Sequence, residues 1–157
     1  MLSDRTHDWM AANGFDPLAV DGRANHQDTA LILASRRGEL GIVRELLDAG
    51  AVINLCNMDG TNALWAACVA DSYTIAELLL QRGIDIDNQN DNGATVLMYA
   101  ASNGRAGWVD YLLGVGADIR LRSLDDFSAL ELASNIQILR MLQQAEKHKS
   151  FESEVGC

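Results

Sequence analysis

Side chains able to act as acids, bases, nucleophiles or metal ligands are numerous in this 157-residue chain, but their spacing matches no catalytic motif. His-Glu-x-x-His, Gly-x-Ser-x-Gly, EF-hand and phosphate-binding glycine patterns are all missing from the sequence. The three histidines fall in separate predicted segments, at His7, His26 and His148. Their convergence on one metal or nucleophile would require improbable geometry. The sequence therefore predicts no catalytic, metal-binding or cofactor-binding residues.

Carboxylates are concentrated in predicted turns, and they support one alternative function. They include Asp85, Asp87, Asp91, Asp118, Asp125 and Asp126. Oxygen ligands of this kind suit calcium, so a metal-dependent or hydrolytic site built from them is the alternative. Asp and Asn side chains also accept hydrogen bonds from nearby backbone and stabilise turns without any ion. We favour the turn interpretation.

Composition restricts the class of partner. The 22 acidic residues exceed the 12 lysines and arginines, which gives a formal net charge of −10. That charge opposes nucleic-acid affinity and repels anionic lipid. Charged residues interrupt every apolar stretch before it could span a bilayer, and the three cysteines lack the spacing of a disulfide framework or a zinc clamp. We expect a cytoplasmic monomer with a protein partner, and neither nucleic-acid nor membrane binding.

A 33-residue period organises the chain. It relates Leu31, Leu64, Leu97 and Leu130, and also Ala34, Ala67, Ala100 and Ala133. Each leucine follows a residue suited to a helix N-cap, namely Thr29, Asn62, Thr95 and Ser128. Later in each unit an apolar stripe has i, i+3, i+4 spacing, as in Val43-Leu46-Leu47. A fixed period of this length predicts stacked units of two short helices each.

Turn residues separate the predicted helices. Gly38, Asp71 and Gly104 occupy equivalent positions between the two helices of a unit, where a left-handed backbone is expected. Glycines at the ends of the second helices suit the C′ position, and they are Gly50, Gly83 and Gly116. The stretches after them are rich in Asn, Asp and Gly, which predicts exposed turns that project as fingers.

The period divides the chain into six segments. In order they are a capping half-repeat (1–23), three full repeats (24–56, 57–89 and 90–122), a shortened C-terminal capping repeat (123–145) and a disordered tail (146–157). We expect Trp9 to anchor the N-terminal cap. The last repeat is shortened because Ile138, Met141 and Leu142 restore the core spacing four positions early. The tail is predicted from the loss of apolar periodicity.

Residues Gly93–Ala101, with the sequence GATVLMYAA, resemble the ankyrin pattern G-x-T-P-L-H-x-A-A, which the family follows with V-x-x-L-L-x-x-G-A. The resemblance extends over residues 24–145. Two columns depart from it: the family's proline is replaced by Ala30, Ala63, Val96 and Ala129, and its histidine by Ile32, Trp65, Met98 and Glu131. The resemblance implies an all-α ankyrin-repeat solenoid of helix-turn-helix units with projecting β-turn or hairpin fingers.

The resemblance also implies a non-catalytic protein-protein interaction module, an adaptor or regulatory binder. Ankyrin proteins similar to this chain bind through finger tips and the exposed face of the first helices, in a concave groove. Mapped position by position, that surface comprises Arg36, Arg37, Met58, Thr61, Trp65, Val69, Asp91, Met98, Asn103, Leu124, Phe127 and Glu131.

Large apolar residues at the centre of this surface are typical of interface cores. We expect Trp65→Ala to weaken partner binding while leaving the fold intact; the alternative is that Trp65 and Met98 pack against the adjacent finger. The groove is predicted to be bipolar. Basic residues lie toward one end (Arg36 and Arg37) and acidic residues toward the other (Asp125, Asp126 and Glu131).

Overall fold

The structure, a computed structural model, describes the backbone of residues 1–155 and the side chains of residues 1–149. Within that range the chain forms eight α-helices and one short 3₁₀ turn. It divides into two compact units, Met1–Asp85 and the part that begins at Ile86. The predicted all-α repeat architecture is confirmed.

The first unit contains five helices. They are α1 (Asp4–Ala12), α2 (Ala30–Arg36), α3 (Leu40–Asp48), α4 (Ala63–Val69) and α5 (Tyr73–Gln81), with the 3₁₀ turn Asn25–Gln27 before α2. Helix α2 packs on α3 and α4, and α5 packs on α3 and α4. Ala34 and Ala67 are fully buried, because small side chains allow α2 and α4 to approach closely. The 33-residue columns are therefore the core of this unit.

The second unit contains α6 (Val96–Ser102), α7 (Ala106–Gly114) and α8 (Ile136–Val155). Helix α7 packs on both α6 and α8. Leu97 and Ala100 of α6 are buried against the apolar stripe of α7, of which Val109 and Leu112 are fully buried. Each unit thus repeats the same two-helix arrangement.

Side-chain caps start the first helix of each full repeat. The Thr29 hydroxyl accepts from Ile32 N at 3.2 Å, and the Thr95 hydroxyl accepts from Met98 N at the same distance. Asn62 Oδ1 accepts from Leu64 N at 3.1 Å. Each cap satisfies an NH that the helix itself leaves without a partner, so the predicted helix starts are confirmed.

The turn between paired helices has the predicted left-handed backbone. Its φ values are +73° at Gly38 and +71° at Gly104. Asp71 adopts φ +58° at the equivalent position. An aspartate tolerates this conformation better than most side chains, which explains how the repeat survives the loss of glycine there.

The N-terminal segment packs within the first unit. Met10 and Phe15 are buried, and the half-buried Trp9 ring stacks on Phe15 with centroids 6.2 Å apart. A second link ties α1 to α3, because the Glu45 carboxylate accepts from Ser3 N and Ser3 Oγ, each at 2.9 Å, and from the Thr6 hydroxyl. These bonds hold the pKa of Glu45 below its ordinary value, the Thr6 hydroxyl contributing most.

The fourth repeat differs from the prediction, since its expected first helix is only a pair of turns at residues 129–132. Ser128 still accepts from Glu131 N, at 3.4 Å, as an N-cap would. Glu131 occupies the column that carries a buried Ile32 in the first repeat, and a carboxylate cannot be buried there cheaply. It remains exposed and accepts from Arg122 Nη1 at 2.8 Å. The segment therefore lacks the apolar anchor that fixes the other first helices.

Helix α8 agrees with one expectation about the C-terminal region and corrects another. It begins earlier than the 33-residue period alone would place it, and Asn135 Oδ1 accepts from Ile138 N at 2.9 Å near its start. Ile138 and Leu142 are fully buried, as expected. The disordered tail was predicted from residue 146, but the helix continues to Val155. Residues 136–155 contain neither glycine nor proline, so helix propensity is maintained after the apolar stripe ends. Residues 156–157 lie outside the described residues.

Candidate partner-binding surface

The finger of the first unit is a tight turn built on one asparagine. Asn57 N donates to Thr61 O at 3.0 Å, and Asn57 Oδ1 accepts from Asp59 N at 3.0 Å and from Thr61 N at 3.2 Å. The Thr61 hydroxyl donates to the same oxygen at 3.0 Å. The turn is therefore fixed by its own side chain, and Thr61 is occupied in holding it.

The second unit uses the same turn twice. Asn90 N donates to Ala94 O at 2.9 Å, and Ser123 N donates to Phe127 O at 2.9 Å. Asn90 Oδ1 and Ser123 Oγ accept from backbone NH groups within their turns. Asn57, Asn90 and Ser123 follow the same 33-residue period, in a column that sequence reasoning missed.

A second column overlooked in the sequence joins successive repeats within each unit. Asp21 Oδ1 accepts from Val52 N at 2.9 Å and Asn54 Oδ1 accepts from Asp85 N at 2.8 Å. In the second unit Asp87 Oδ1 accepts from Asp118 N at 2.8 Å. The three acceptors again follow the 33-residue period, so the period alone could have revealed them.

Backbone bonds also hold the finger tips. Met58 N donates to His26 O at 3.0 Å, and Leu124 N donates to Asn92 O at 2.9 Å. These two tip residues are 58% and 78% exposed, and Phe127 beside the last tip is 45% exposed. Each unit thus displays large apolar side chains on a hydrogen-bonded turn.

Four further predicted contact residues are exposed. Val69, at the end of α4, is 52% exposed. Asp91 and Asn103 are exposed, and Asn103 Nδ2 donates to Tyr99 O at 2.8 Å. Glu131 is exposed and held by Arg122.

Trp65 and Met98 are not the exposed groove residues that were expected. Trp65 is only 8% exposed and Met98 only 2%. Each lies in the first turn of its helix, two residues past the start of α4 or α6, where the Ile32 side chain of α2 is also buried. Their burial contradicts the exposed positions and fits the alternative of packing within the protein, while packing against the adjacent finger stays a prediction. Trp65→Ala cannot be expected to spare the fold.

The two predicted arginines have different partners. Arg36 forms a double hydrogen bond with Asp28, Nη1 to Oδ2 at 2.5 Å and Nη2 to Oδ1 at 3.2 Å. Asp28 is buried and also accepts from Asn57 Nδ2 at 3.1 Å. The exposed Arg37 donates from Nη1 to the neutral Asn13 Oδ1 at 2.5 Å. Charge on Arg36 is thus balanced locally, whereas charge on Arg37 is not.

Carboxylates of the second unit are mainly engaged with nearby groups. Asp118 Oδ1 accepts from Arg120 N at 2.9 Å, and this bond, together with the Arg120 side chain, lowers the pKa of Asp118. Asp126 pairs with Arg122 at 3.6 Å, while Asp125 is exposed. Among the side chains that the structure describes, no three His, Cys, Asp or Glu are grouped to hold a metal ion.

No helix in the described part of the chain has both the length and the apolar character needed to cross a membrane. Cys68 is buried in α4, next to the fully buried Ala67. Cys56 precedes the first finger and is half-buried.

Comparison with known proteins identifies the repeat. The profile described as ankyrin repeats (3 copies) matches residues 8–90, which is more than half of the chain. The chain belongs to the ankyrin repeat family. A second profile, ankyrin repeats (many copies), matches residues 79–133, so this ankyrin chain carries the family pattern through most of its length.

Similar proteins are found among large multidomain chains. Ankyrin repeat and SAM domain-containing protein 6 of Mus musculus is 39% identical over 104 residues, which cover 65% of this chain and 12% of the mouse protein. Ankyrin repeat and KH domain-containing protein mask-1 of Caenorhabditis elegans is 35% identical over 87 residues, 55% of this chain and 3% of that protein. Neurogenic locus notch homolog protein 1 of Xenopus tropicalis is 30% identical over 132 residues, 80% of this chain and 5% of that protein. The chain thus spans only a small part of the length of each of these relatives.

Proposed function

We propose that this ankyrin repeat chain is a non-catalytic protein-binding module, an adaptor or regulatory binder, which contacts its partner through its fingers. Ankyrin repeats generally serve as protein-protein interaction modules. We also propose that the chain is a monomer that acts in the cytoplasm, and three cysteines without disulfide spacing fit the reducing conditions of that compartment.

The observation that carries the proposal is the display of apolar side chains on hydrogen-bonded turns. A single exposed apolar residue is common on protein surfaces, and this chain has others, such as Leu18 and Val115. Met58, Leu124 and Phe127 differ because their turns are closed by side-chain and backbone bonds. Because the backbone of these turns is already fixed, binding carries little cost for ordering the loop, so more of the about 1.5–3 kcal/mol from burying each side chain is retained as affinity.

The other predicted residues flank these apolar side chains in the proposed contact. In the first unit they are the exposed Arg37 and Val69 and the half-buried Thr61, and in the second the exposed Asp91, Asn103 and Glu131. Trp65 and Met98 are buried, and the Arg36 guanidinium is bound to Asp28. We therefore assign these three an indirect role in binding.

The test uses two surface variants, Met58→Ser and the double variant Leu124→Ser with Phe127→Ser. Partners captured from native lysate by the wild type are identified by mass spectrometry, and the affinity of the most enriched one is measured with purified proteins. Each variant should weaken that affinity by about tenfold or more, which corresponds to about 1.4 kcal/mol.

Val115→Ser is the matched control, because Val115 is an exposed apolar residue at the end of α7 and not in a finger. All variants are first checked for unchanged helical circular dichroism. Equal affinity of the finger variants, the control and the wild type would exclude the fingers as the binding surface.

A further inference from the structure

A cleft of about 510 Å³ lies in the first unit, between the C-terminal end of α1, the 3₁₀ turn and the last turn of α2. Its apolar wall includes Phe15 and Leu33, and its polar groups include Asn13, Asp28 and Arg37. The volume lies within the range of pockets that hold small ligands or inserted side chains.

The charges in this cleft do not balance. Asp28 is the single carboxylate among its lining residues, and that carboxylate already accepts two bonds from Arg36 and one from Asn57. Arg37 has no carboxylate within 4 Å among the described side chains, and its recorded acceptor is the neutral amide of Asn13. Two arginines against one aspartate leave an excess of one positive charge, in a chain whose net charge is −10.

Other sources of negative potential near the cleft have partners of their own. The last carbonyls of α1 accept backbone bonds, Met10 O from both Asn13 N and Phe15 N. At the end of α2, Leu33 O accepts from Arg37 N at 3.0 Å. Glu39, two residues beyond Arg37, pairs with Arg5 at 3.7 Å. The Arg37 guanidinium is therefore the exposed charge of the cleft that no carboxylate balances.

We propose that this cleft binds a glutamate or aspartate side chain from an acidic segment of the protein partner, with Arg37 as its ligand. This inference rests on the proposed function and specifies the chemistry of the partner. The incoming carboxylate takes the place of Asn13 Oδ1 and accepts two parallel bonds from the guanidinium, a geometry that arginine favours. The methylene groups of the acidic residue lie along Phe15 and Leu33.

The proposal is tested on the full chain with a fluorescein-labelled peptide of alternating Glu and Ala, titrated by fluorescence anisotropy at low salt. The matched probe has Gln in place of Glu. The Glu peptide should bind at least about tenfold more tightly than the Gln peptide, and Arg37→Gln should remove about that factor. Arg37→Lys should restore only part of it, because an ammonium lacks the paired donors.

Arg44→Gln is the control, since Arg44 is exposed on α3, outside the cleft, and its loss changes the net charge equally. It should change the affinity less than about twofold. Backbone amide shifts in NMR spectra should move at Asn13, His26 and Arg37 when the Glu peptide is added. Equal weakening by Arg37→Gln and Arg44→Gln, or no binding of the Glu peptide up to millimolar concentration, overturns the proposal.

Failure of this inference can be distinguished from failure of the proposed function. If partner affinity depends on the finger residues but Glu-peptide binding does not depend on Arg37, the cleft assignment alone is wrong. If the Glu peptide requires Arg37 while the finger variants bind the partner normally, the cleft assignment holds and the fingers are excluded.

Discussion

Trp65 and Met98 occupy the repeat position where the ankyrin pattern has histidine, and the protein uses them as core residues. Burial of a large side chain at the first turn of a helix replaces the polar contacts that a histidine would make with its neighbours. Their apolar character could be seen in the sequence, but their depth could not, because a fingertip and a helix start are adjacent along the chain.

The burial of Met98 leads to a prediction with a natural control in the same chain. Met98→Ala should lower the free energy of unfolding by about 2–5 kcal/mol, since it leaves a cavity in a buried site. Met58→Ala removes the same atoms from a residue that is 58% exposed. It should change the free energy of unfolding by about 0.5 kcal/mol or less. Urea denaturation followed by circular dichroism gives both values. Equal effects would mean that Met98 is not buried in solution.

Trp65→Ala should be at least as damaging, by about 3–5 kcal/mol, because an indole is lost from a site only 8% exposed. The measurement is again urea denaturation, with Trp9→Ala as a comparison at a half-buried indole. A loss below about 1 kcal/mol would restore the original interpretation of Trp65 as a surface binding residue.

Glu45 makes the attachment of α1 depend on pH. Its pKa lies below the ordinary value of 4.5, through the bond from the Thr6 hydroxyl first and those from Ser3 next. Because the pKa of this carboxyl group is lower in the folded than in the unfolded chain, its ionisation stabilises the fold at any pH above the unfolded-state pKa. That stabilisation is lost as the pH falls through the folded-state pKa.

Glu45→Gln should therefore lower the melting temperature at pH 7, and the difference from wild type should shrink as the pH falls below 4.5. Thermal unfolding from pH 7 to pH 3 measures it. Glu77→Gln removes the same charge from an exposed position on α5 and controls for net charge. A difference that grows toward acid pH would contradict the sign of this coupling.

At the scale of elements, the finger of the last repeat is positioned by a close approach to the finger before it. A Cβ added to Gly93 would lie 2.8 Å from Leu124 N, and Gly93 has φ +73°. This backbone nitrogen is the one that donates to Asn92 O, so it cannot move without breaking that bond.

Gly93→Ala should consequently destabilise the protein by more than Gly50→Ala. Gly50 has φ +89° but no atom within 4 Å of an added Cβ, so its variant reports the cost of the left-handed backbone alone, about 1–2 kcal/mol. We expect Gly93→Ala to lower the free energy of unfolding, measured by urea denaturation, by at least about 1 kcal/mol more than Gly50→Ala does. Equal losses would show that the two fingers separate freely.

Helix positions followed from the 33-residue period because caps, small alanines and apolar stripes recur together. The same reasoning could not show that the first helix of the fourth repeat shortens to turns, since Ser128, Leu130 and Ala133 preserve the pattern. The deciding residue is Glu131, whose carboxylate bonds to Arg122 instead of entering the core. The extent of α8 was also missed, because loss of apolar periodicity signals the end of packing and not the end of a helix.

At the scale of the whole chain, the sequence defines the repeat family but carries little information about the partner. The columns that recur in every repeat are those that fold each unit, and recognition depends on residues that do not recur. Met58, Asp91 and Leu124 illustrate this, since they share one fingertip column yet differ in chemistry. The local excess of positive charge at Arg37 could be recognised only after the structure showed Asp28 bound to Arg36.

The excess of acidic residues predicts how the protein responds to salt. With a formal net charge of −10, self-repulsion acts on the folded chain, and the recorded ion pairs are mostly exposed and contribute about 0–1 kcal/mol each. Raising NaCl from 10 mM to 0.1 M shortens the screening length from about 30 Å to about 10 Å, which weakens distant repulsion more than contact pairs. The melting temperature should therefore rise with NaCl over this range, measured by scanning calorimetry with a sorbitol control of equal osmolality. A falling melting temperature would mean that the ion pairs outweigh the repulsion.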